Sequence, residues 1–388
     1  MIPYGRQSIS QEDIDAVTAV LTSDYLTQGP AIPKFENAIK ERCGAGYAVA
    51  SNSATSALHI ACLALAVGKG DVVWTSPNTF VASANCALYC GADVDFVDID
   101  PLTWNMCPDK LSAKLVQAKA AGRLPKVVIP VHLCGQSCDM AAIGALASEY
   151  GFKVIEDASH AIGADYDGAP VGNCAHSDIT VFSFHPVKII TTAEGGLCTT
   201  NDAVLARRME LFRSHGITRD ASEMDQESDG PWYYQQIELG YNYRMTELQA
   251  ALGLSQMARL DEFVGRRRAI AAHYDNALRG LGLQLPSLIA KADSAWHLYV
   301  IRVPAAAHRA AFDALKAESL GINLHYIPVP SQPYYRKLGH DPALYPEALA
   351  YYHEAISIPL YAGMSDGDVE AVVAAVTKVS AKFGFGGR

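Results

Sequence analysis

Along this chain, short continuous apolar runs alternate with longer stretches of helical spacing. A helix is predicted after Ser10, because QEDIDAVTAVL combines apolar periodicity with acidic residues in its first turn, and a second helix is predicted over residues 33–42. From residue 47 onwards helical stretches separate seven apolar runs, which are YAVAS, DVVWTSP, VDFVDID, KVVIPVHL, FKVIEDAS, DITVFSFH and GGLCTT. β-Branched runs divided by helices predict an α/β fold with a mainly parallel sheet, covered by helices on both faces.

The pattern changes in the second half of the chain. The acidic, polar stretch 216–236 predicts a long loop, and residues 245–268 predict a helix that leaves the large domain. The last third predicts, in order, a strand over HLYVIRV, a helix over AHRAAFDALKAE, a strand over INLHYIP and a final helix from Asp366 to about Phe383. A boundary near 255–265 therefore divides the chain into an N-terminal arm with a large domain, residues 1–260, and a small α+β domain, residues 261–388.

Composition narrows the class of protein. Of the 388 residues, 50% are hydrophobic and 19% are charged, and the formal net charge of −10 argues against a nucleic-acid partner. The first residues, MIPYGRQSIS, lack the apolar core of a signal peptide, and the longest apolar run, Ala57 to Val67, is too short to span a membrane. Nine scattered cysteines predict a reducing, cytoplasmic setting. Cys134 and Cys138 have no second pair, so no metal site is expected.

The first candidate site is SNSATSALH, residues 51–59, where a predicted strand gives way to a helix that begins near Ala54. The backbone amides of Ala54 and Thr55, at the N-terminus of that helix, could bind an anion such as a phosphate group. Serine and threonine are also ordinary helix caps, so this motif alone leaves both interpretations open.

The second candidate site is VIEDASHA, in which Asp157 is predicted at the carboxyl end of a buried strand. Ligands of open α/β sheets bind at this edge, and a buried carboxylate needs a positive partner there. Asp157 either caps the following helix or pairs with a protonated pyridine nitrogen.

The third candidate site is VFSFHPVKIITTAEGG, which places Lys188 between an apolar strand and a glycine-rich turn. Desolvation there would lower the pKa of the lysine and favour Schiff-base chemistry. Ser183 could donate a hydrogen bond to a phosphate group, whereas His185 is interpreted as structural. A phosphate cradle, a strand-end aspartate and a strand-end lysine are together the parts that a pyridoxal 5′-phosphate (PLP) site requires.

Five motifs, in the same order and over nearly the whole chain, carry a family resemblance: SATSAL at 53–58, EDASHA at 156–161, SFHPVK at 183–188, EGG at 194–196 and GYNYRMTELQAALG at 240–253. With them the chain resembles the DegT/DnrJ/EryC1/StrS family of sugar aminotransferases. The resemblance implies the type I fold of PLP-dependent transferases, as in aspartate aminotransferase, and amino transfer to a nucleotide-linked keto-sugar. Related sugar 3-dehydratases carry histidine at the position of Lys188, so the lysine favours amino transfer over dehydration.

The resemblance also implies a role for individual residues. Lys188 would bind PLP covalently, and Asp157 would hold the pyridinium nitrogen. The other implied cofactor contacts are the backbone of Ala54 and Thr55, Phe80 stacked on the ring, His160, the hydroxyl of Ser183, and Asn242 reaching the cofactor of a neighbouring subunit. Asn242 thus implies a homodimer with shared active sites. The implied sugar-nucleotide contacts are Tyr4, Asp24, Tyr25, Leu26, Thr27, His325, Tyr326, Ile327 and Pro328.

A narrower resemblance, to the family members that aminate C4 of a UDP-linked 4-keto-6-deoxy sugar in pseudaminic acid biosynthesis, rests on SDYLTQGP, SNSATSALH, FSFHPVKIITTAEGG, FRSHGI and INLHYIP. It implies glutamate as the amino donor. Ala54 and Ile189 depart from the residues that are common in the family at those positions. Other keto-sugars with a different nucleotide or a C3 ketone, a PLP-dependent lyase, and a non-catalytic protein that keeps the fold are the alternatives. A nicotinamide dehydrogenase is disfavoured because no G-x-G-x-x-G follows the first strand.

Overall fold

A computed structural model of the protein describes residues 1–386. Its strands are β1 (Tyr47–Ser51), β2 (Val72–Thr75), β3 (Asp93–Phe96), β4 (Val127–Ile129), β5 (Lys153–Asp157), β6 (Asp165–Tyr166), β7 (Ala169–Pro170), β8 (Ile179–Ser183), β9 (Gly196–Thr200), β10 (Ile217–Thr218), β11 (Gln235–Gln236), β12 (Ala292–Asp293), β13 (Tyr299–Arg302) and β14 (Ala355–Ile358). Its α-helices are α1 (Gln11–Leu21), α2 (Ala31–Cys43), α3 (Ala54–Ala64), α4 (Ala82–Tyr89), α5 (Pro108–Ala120), α6 (Met140–Tyr150), α7 (Ala203–Arg213), α8 (Glu247–Met257), α9 (Leu260–Ala277), α10 (His308–Ala317), α11 (Pro333–Lys337), α12 (Pro346–Glu354) and α13 (Asp366–Phe383).

The seven predicted strands form one sheet with the order β1-β9-β8-β5-β4-β2-β3. Every pair from β8 to β3 is parallel, and β9 runs antiparallel to both of its neighbours, so a single strand opposes the rest. The central strands are buried along their whole length, which explains their continuous apolar sequences. The predicted α/β fold with a mainly parallel sheet is confirmed.

A second apolar core lies in the C-terminal part of the chain; its buried side chains belong to residues 270–385, and Ile2 packs against them from the N-terminus. There β13 and β14 pair antiparallel, and helices α9, α10 and α13 contribute apolar side chains to the same cluster. The division of the chain into two domains at residue 260 stays a prediction.

Two sequence-based predictions are wrong, and a third, the loop over 216–236, is refined. The segment INLHYIP is not a strand, because it makes only one bridge, between Asn323 and Ser357, before His325 and Tyr326 turn toward a cavity. The helix predicted over 245–268 is two helices, α8 and α9, which are separated at Ala258 and Arg259. The predicted loop 216–236 is closed at its base by the two-residue strands β10 and β11.

Candidate active site

A cavity of about 560 Å³ opens at the carboxyl ends of the central strands. Loops that follow β2, β5 and β8 line it from the sheet side, and the segment 323–326 closes it from the other side. Parallel strands present their carboxyl ends at one edge of a sheet, and the helices that follow present their N-termini there as well. The strand order brings together residues that lie far apart in sequence, and three of them, Ala54, Asp157 and Lys188, line this one cavity.

One end of the cavity is an anion cradle at the N-terminus of α3. The side chain of Ser53 caps the helix by accepting a hydrogen bond from the amide of Ser56 at 3.1 Å. The amides of Ala54 and Thr55 belong to the first turn, where a helix has no internal acceptors for its N–H groups. Both residues line the cavity, as does Ser183 at the end of β8. Helix dipole, free amides and a serine hydroxyl together favour a phosphate group.

Gly196 shows how tightly this cradle is built. A Cβ atom at this position would lie 2.4 Å from the carbonyl oxygen of Ser53 and 2.5 Å from the amide nitrogen of Ala54. The start of β9 therefore packs directly against the start of α3, backbone on backbone. This close approach explains why the EGG motif needs glycine at its last position.

Asp157 ends β5 with a buried carboxylate that is 4% exposed. Its Oδ2 accepts a hydrogen bond from the hydroxyl of Ser83 at 2.6 Å, and its Oδ1 accepts one from the amide of Ser159 at 3.1 Å. Two donors thus hold the carboxylate in a fixed orientation at the cavity wall. A carboxylate so fixed can receive a cationic N–H group from a ligand.

Lys188 follows β8 in a loop held by a hydrogen bond from its own amide to the carbonyl of His185 at 2.9 Å. Burial lowers the pKa of Lys188 to about 8, and the nearby charge of Asp157 opposes that shift. A lysine with this pKa has a sizeable neutral fraction near physiological pH and can act as a nucleophile or a base.

Histidine and tyrosine side chains form the opposite wall. Nδ1 of His160 accepts a hydrogen bond from the amide of Cys134 at 3.3 Å, so the proton of the neutral ring resides on Nε2 and is donated to the Tyr326 hydroxyl at 3.2 Å. Burial keeps the pKa of His160 well below its usual value, and the charge of Lys188 adds to the effect. Burial likewise lowers the pKa of His325 to about 4, and that ring shares a 2.8 Å hydrogen bond with Ser357. The wall is therefore polar but uncharged.

Most of the predicted site residues line this cavity. They are Tyr4, Ala54, Thr55, Phe80, Asp157, His160, Ser183, Lys188, His325 and Tyr326. The segment 24–27 is exposed beside α8, Asn242 is exposed, and Ile327 and Pro328 do not line the cavity. The backbone of Tyr243 accepts a 2.8 Å hydrogen bond from the amide of Asn52, so the motif that carries Asn242 is tied to the loop before α3.

Several lining residues were not predicted from the sequence. Ser83 and His297 are the clearest cases, because Ser83 bonds Asp157 and the ring of His297 lies 4.4 Å from that of His160. Ser83 is 74 residues from Asp157 in the chain, and only the tertiary fold brings the first turn of α4 to the end of β5. The sequence offered one signal, a polar run directly after β2, SPNTF, at the edge where ligands bind.

Among residues 1–386, no group of three or more His, Cys, Asp or Glu side chains is arranged to hold a metal ion. Over the same range, no helix combines the length and the apolar character that crossing a membrane requires. All nine cysteines have free thiols.

The fold and the cavity define the class of type I PLP-dependent transferases, in which a strand-end aspartate and lysine face a helix N-terminus across one pocket. The profile of the DegT/DnrJ/EryC1/StrS aminotransferase family matches residues 7–377. The chain belongs to this family, and the predicted enzyme class, a PLP-dependent sugar aminotransferase, is confirmed.

Individual relatives agree with this assignment. The chain is 41% identical over 385 residues to the spore coat polysaccharide biosynthesis protein SpsC of Bacillus subtilis, covering 97% of each chain. The structure of Helicobacter pylori PseC, an aminotransferase of pseudaminic acid biosynthesis, matches with a TM-score of 0.88 and 29% identity, covering 98% of this chain and 100% of that one. The PMP form of the putative sugar aminotransferase Spr1654 of Streptococcus pneumoniae matches with a TM-score of 0.90 and 30% identity, covering 98% and 100%.

Proposed function

We propose that this enzyme transfers the amino group of L-glutamate to C4 of a UDP-linked 4-keto-6-deoxy-N-acetylhexosamine. The product would be UDP-4-amino-4,6-dideoxy-N-acetyl-β-L-altrosamine, an intermediate of pseudaminic acid biosynthesis. The observation that carries amino transfer is the pairing of Lys188, whose pKa is lowered to about 8, with the fixed carboxylate of Asp157 in one cavity. The likeness to PseC and the motif resemblance support the choice of sugar.

The donor set of the cavity fits PLP. The amides of Ala54 and Thr55 and the hydroxyl of Ser183 would bind its phosphate group, and the carboxylate of Asp157 would accept a hydrogen bond from its protonated ring nitrogen. Phe80, which is 56% exposed at the rim, would cover the ring. When bound, this cofactor supplies an electron sink that stabilises negative charge at the carbon that loses its proton.

The residues of the chain perform the remaining tasks. Lys188 would remove the α-proton of glutamate in the first half of the reaction and would deliver a proton to C4 of the sugar in the second half. It can do both because a side chain with its pKa near ambient pH can accept and donate a proton. Asp157 would remain anionic throughout, held by Ser83 and the amide of Ser159. The neutral wall of His160, His325 and Tyr326 would accommodate the uncharged sugar ring of the acceptor.

A homodimer with shared sites is part of the proposal. Asn242 is exposed and lies outside the cavity of its own chain, yet its motif is tied to the loop before α3. The exposed segment 24–27 lies near the same face, where Thr27 pairs with Thr246. Asn242 and the segment 24–27 would thus be available to complete the site of a second subunit.

The nine free thiols support the proposal of a reducing, cytoplasmic setting.

The test is the absorption spectrum of the purified protein before and after glutamate is added. We expect a band at about 420 nm that gives way to one at about 330 nm as the amino group is transferred. Lys188→Ala and Lys188→Arg should lower turnover at least about 1,000-fold, because both remove the nucleophile and base. Lys69→Ala, which changes an exposed lysine outside the cavity, is the matched control and should behave as wild type.

A panel of UDP-, dTDP- and GDP-linked sugars with a ketone at C3 or C4 then tests the acceptor. Preference for the UDP-linked C4 ketone would support the proposal. Preference for another keto-sugar would favour the second candidate, an aminotransferase of a different polysaccharide pathway, which the 41% identity to SpsC motivates. A wild-type protein with no visible band after incubation with PLP would contradict the whole assignment.

A further inference from the structure

The segment Thr79–Ser83, between β2 and the first turn of α4, makes a buried chain of hydroxyl groups that ends on Asp157. The Oγ1 of Thr79 lies 2.8 Å from the Oγ of Ser83, and that Oγ lies 2.6 Å from Oδ2 of Asp157. Thr79, Ser83 and Asp157 are 2%, 1% and 4% exposed, so bulk water does not compete for these bonds. All three line the active-site cavity.

The direction of these bonds follows from counting protons. A serine hydroxyl has one proton, and the anionic oxygen at 2.6 Å is the strongest acceptor within reach of Ser83, well ahead of the Phe80 carbonyl at 3.4 Å. Ser83 therefore donates to Asp157, and its own oxygen must accept from Thr79. Each bond polarises the next, so the two hydroxyls act as one donor to the carboxylate.

We propose that Ser83, supported by Thr79, is a positioning residue that holds Asp157 in the orientation required by the ring nitrogen of the cofactor. The proposal rests on the proposed function, since it assumes that PLP is the ligand. The segment Thr79–Ser83 would then both orient Asp157 and contact the cofactor ring, because Phe80 lies between the two hydroxyl residues and reaches the rim of the same cavity. A shift of this segment would then change both the contact of Phe80 with the cofactor ring and the hydrogen bond of Ser83 to Asp157.

The same segment is anchored to the far wall of the cavity. Oδ1 of Asn78 accepts a hydrogen bond from the amide of Tyr326 at 3.2 Å, and the rings of Phe80 and Tyr326 are 6.0 Å apart. The position of the hydroxyl chain is therefore fixed from the segment 323–326 as well as from the sheet. Side chains held at both ends are well suited to fix a third group.

The test is a pH titration of the visible band of the PLP-loaded enzyme without any sugar. A protonated ring nitrogen is a positive charge that lowers the pKa of the cationic nitrogen joining Lys188 to the cofactor. Ser83→Ala leaves Asp157 less firmly oriented and the ring nitrogen less protonated. We expect the midpoint to rise by about 0.5 pH units or more, and kcat to fall about tenfold.

Ser83→Thr keeps the hydroxyl and should restore the wild-type midpoint. Thr79→Val removes only the outer donor, and we expect a smaller rise; this variant also tests the proposal if Ser83→Ala fails to fold. Ser76→Ala is the matched control, because Ser76 is equally buried, precedes the same segment, and its hydroxyl has no hydrogen-bond partner in the structure.

A midpoint that stays at the wild-type value in both Ser83→Ala and Thr79→Val would overturn the proposal, as would an equal shift in Ser76→Ala. In either of those cases the wild-type enzyme would still show a visible band that titrates with pH. Absence of a titrating band in the wild type would instead contradict PLP as the cofactor, so the two failures can be told apart.

Discussion

Replacing Gly196 by alanine tests whether the anion cradle depends on the contact between β9 and α3. The added methyl group would lie 2.4 Å from the Ser53 carbonyl oxygen and 2.5 Å from the Ala54 amide nitrogen. Gly196 cannot move away easily, because it pairs with Ser51 in β1 and with Ser183 in β8. The start of α3 must therefore shift, and the amides that would bind the phosphate group shift with it.

The geometry allows the losses in stability and in PLP affinity to be estimated. Overpacking against backbone costs about 1–3 kcal/mol, so we expect the free energy of unfolding to fall by about 2 kcal/mol. Loss of one charge-assisted hydrogen bond to the phosphate costs about 1.5–3 kcal/mol, which weakens PLP binding about 10- to 100-fold. Gly265→Ala is the control, since this glycine is exposed in α9 with nothing within 4 Å of an added Cβ. It should gain about 0.5–1 kcal/mol from helix propensity.

The assay compares PLP with pyridoxal, which lacks the phosphate group, by absorption titration of the apo proteins. A displaced cradle should weaken PLP binding much more than pyridoxal binding. Equal weakening of both ligands would mean that Gly196→Ala disturbs the pocket as a whole, and wild-type affinity for PLP would mean that the helix start is not the phosphate site. Either result refutes the reasoning.

Two further predictions follow from individual contacts. Because burial lowers the pKa of Lys188 to about 8, its neutral form increases as pH rises. The rate of PLP incorporation into the apo protein, followed by stopped-flow absorbance, should increase about tenfold from about pH 7 to pH 9, and a flat profile would contradict this pKa. Glu247, in α8, accepts hydrogen bonds from the amides of Ala31 at 2.6 Å and Ile32 at 3.2 Å, and so caps α2. Glu247→Ala should lower the free energy of unfolding in urea by about 2–4 kcal/mol, whereas an effect no larger than that of Glu262→Ala, at an exposed position in α9, would contradict the cap.

Much of the fold could be predicted because its strands are buried on both faces. Such strands are continuous apolar runs, and the helices between them keep a regular period, so the seven strands of the main sheet were found from the pattern alone. The segment INLHYIP has the same apolar character without being a strand. Its His325 side chain shares a hydrogen bond with Ser357 in β14, and its Tyr326 side chain shares one with His160 in the cavity wall; neither contact is encoded in local periodicity.

Some residues of the candidate site could likewise be predicted from the sequence and others could not. Ala54, Asp157 and Lys188 could be predicted, because each lies at the end of a recognisable strand, where α/β sheets bind their ligands. Ser83 could not, since its contact with Asp157 is made from α4 and depends on how that helix packs at the edge of the sheet, which local sequence does not encode. The cavity-lining residues that were predicted lie in recognisable motifs, whereas the contact between Ser83 and Asp157 is set by tertiary packing.

The protein has a negative net charge, and its proposed ligands are also anionic. A protein of net charge −10 is expected to repel a phosphorylated cofactor and a nucleotide diphosphate, yet screening limits that repulsion to distances of about 8 Å at physiological ionic strength. Within that distance the cavity offers the first amides of α3, the hydroxyl of Ser183 and the amine of Lys188. Short contacts from oriented donors to a bound phosphate group would outweigh a diffuse, screened charge. The net charge of the whole chain therefore argues against a polyanionic partner, which needs a broad basic surface, but it does not argue against a small anionic ligand.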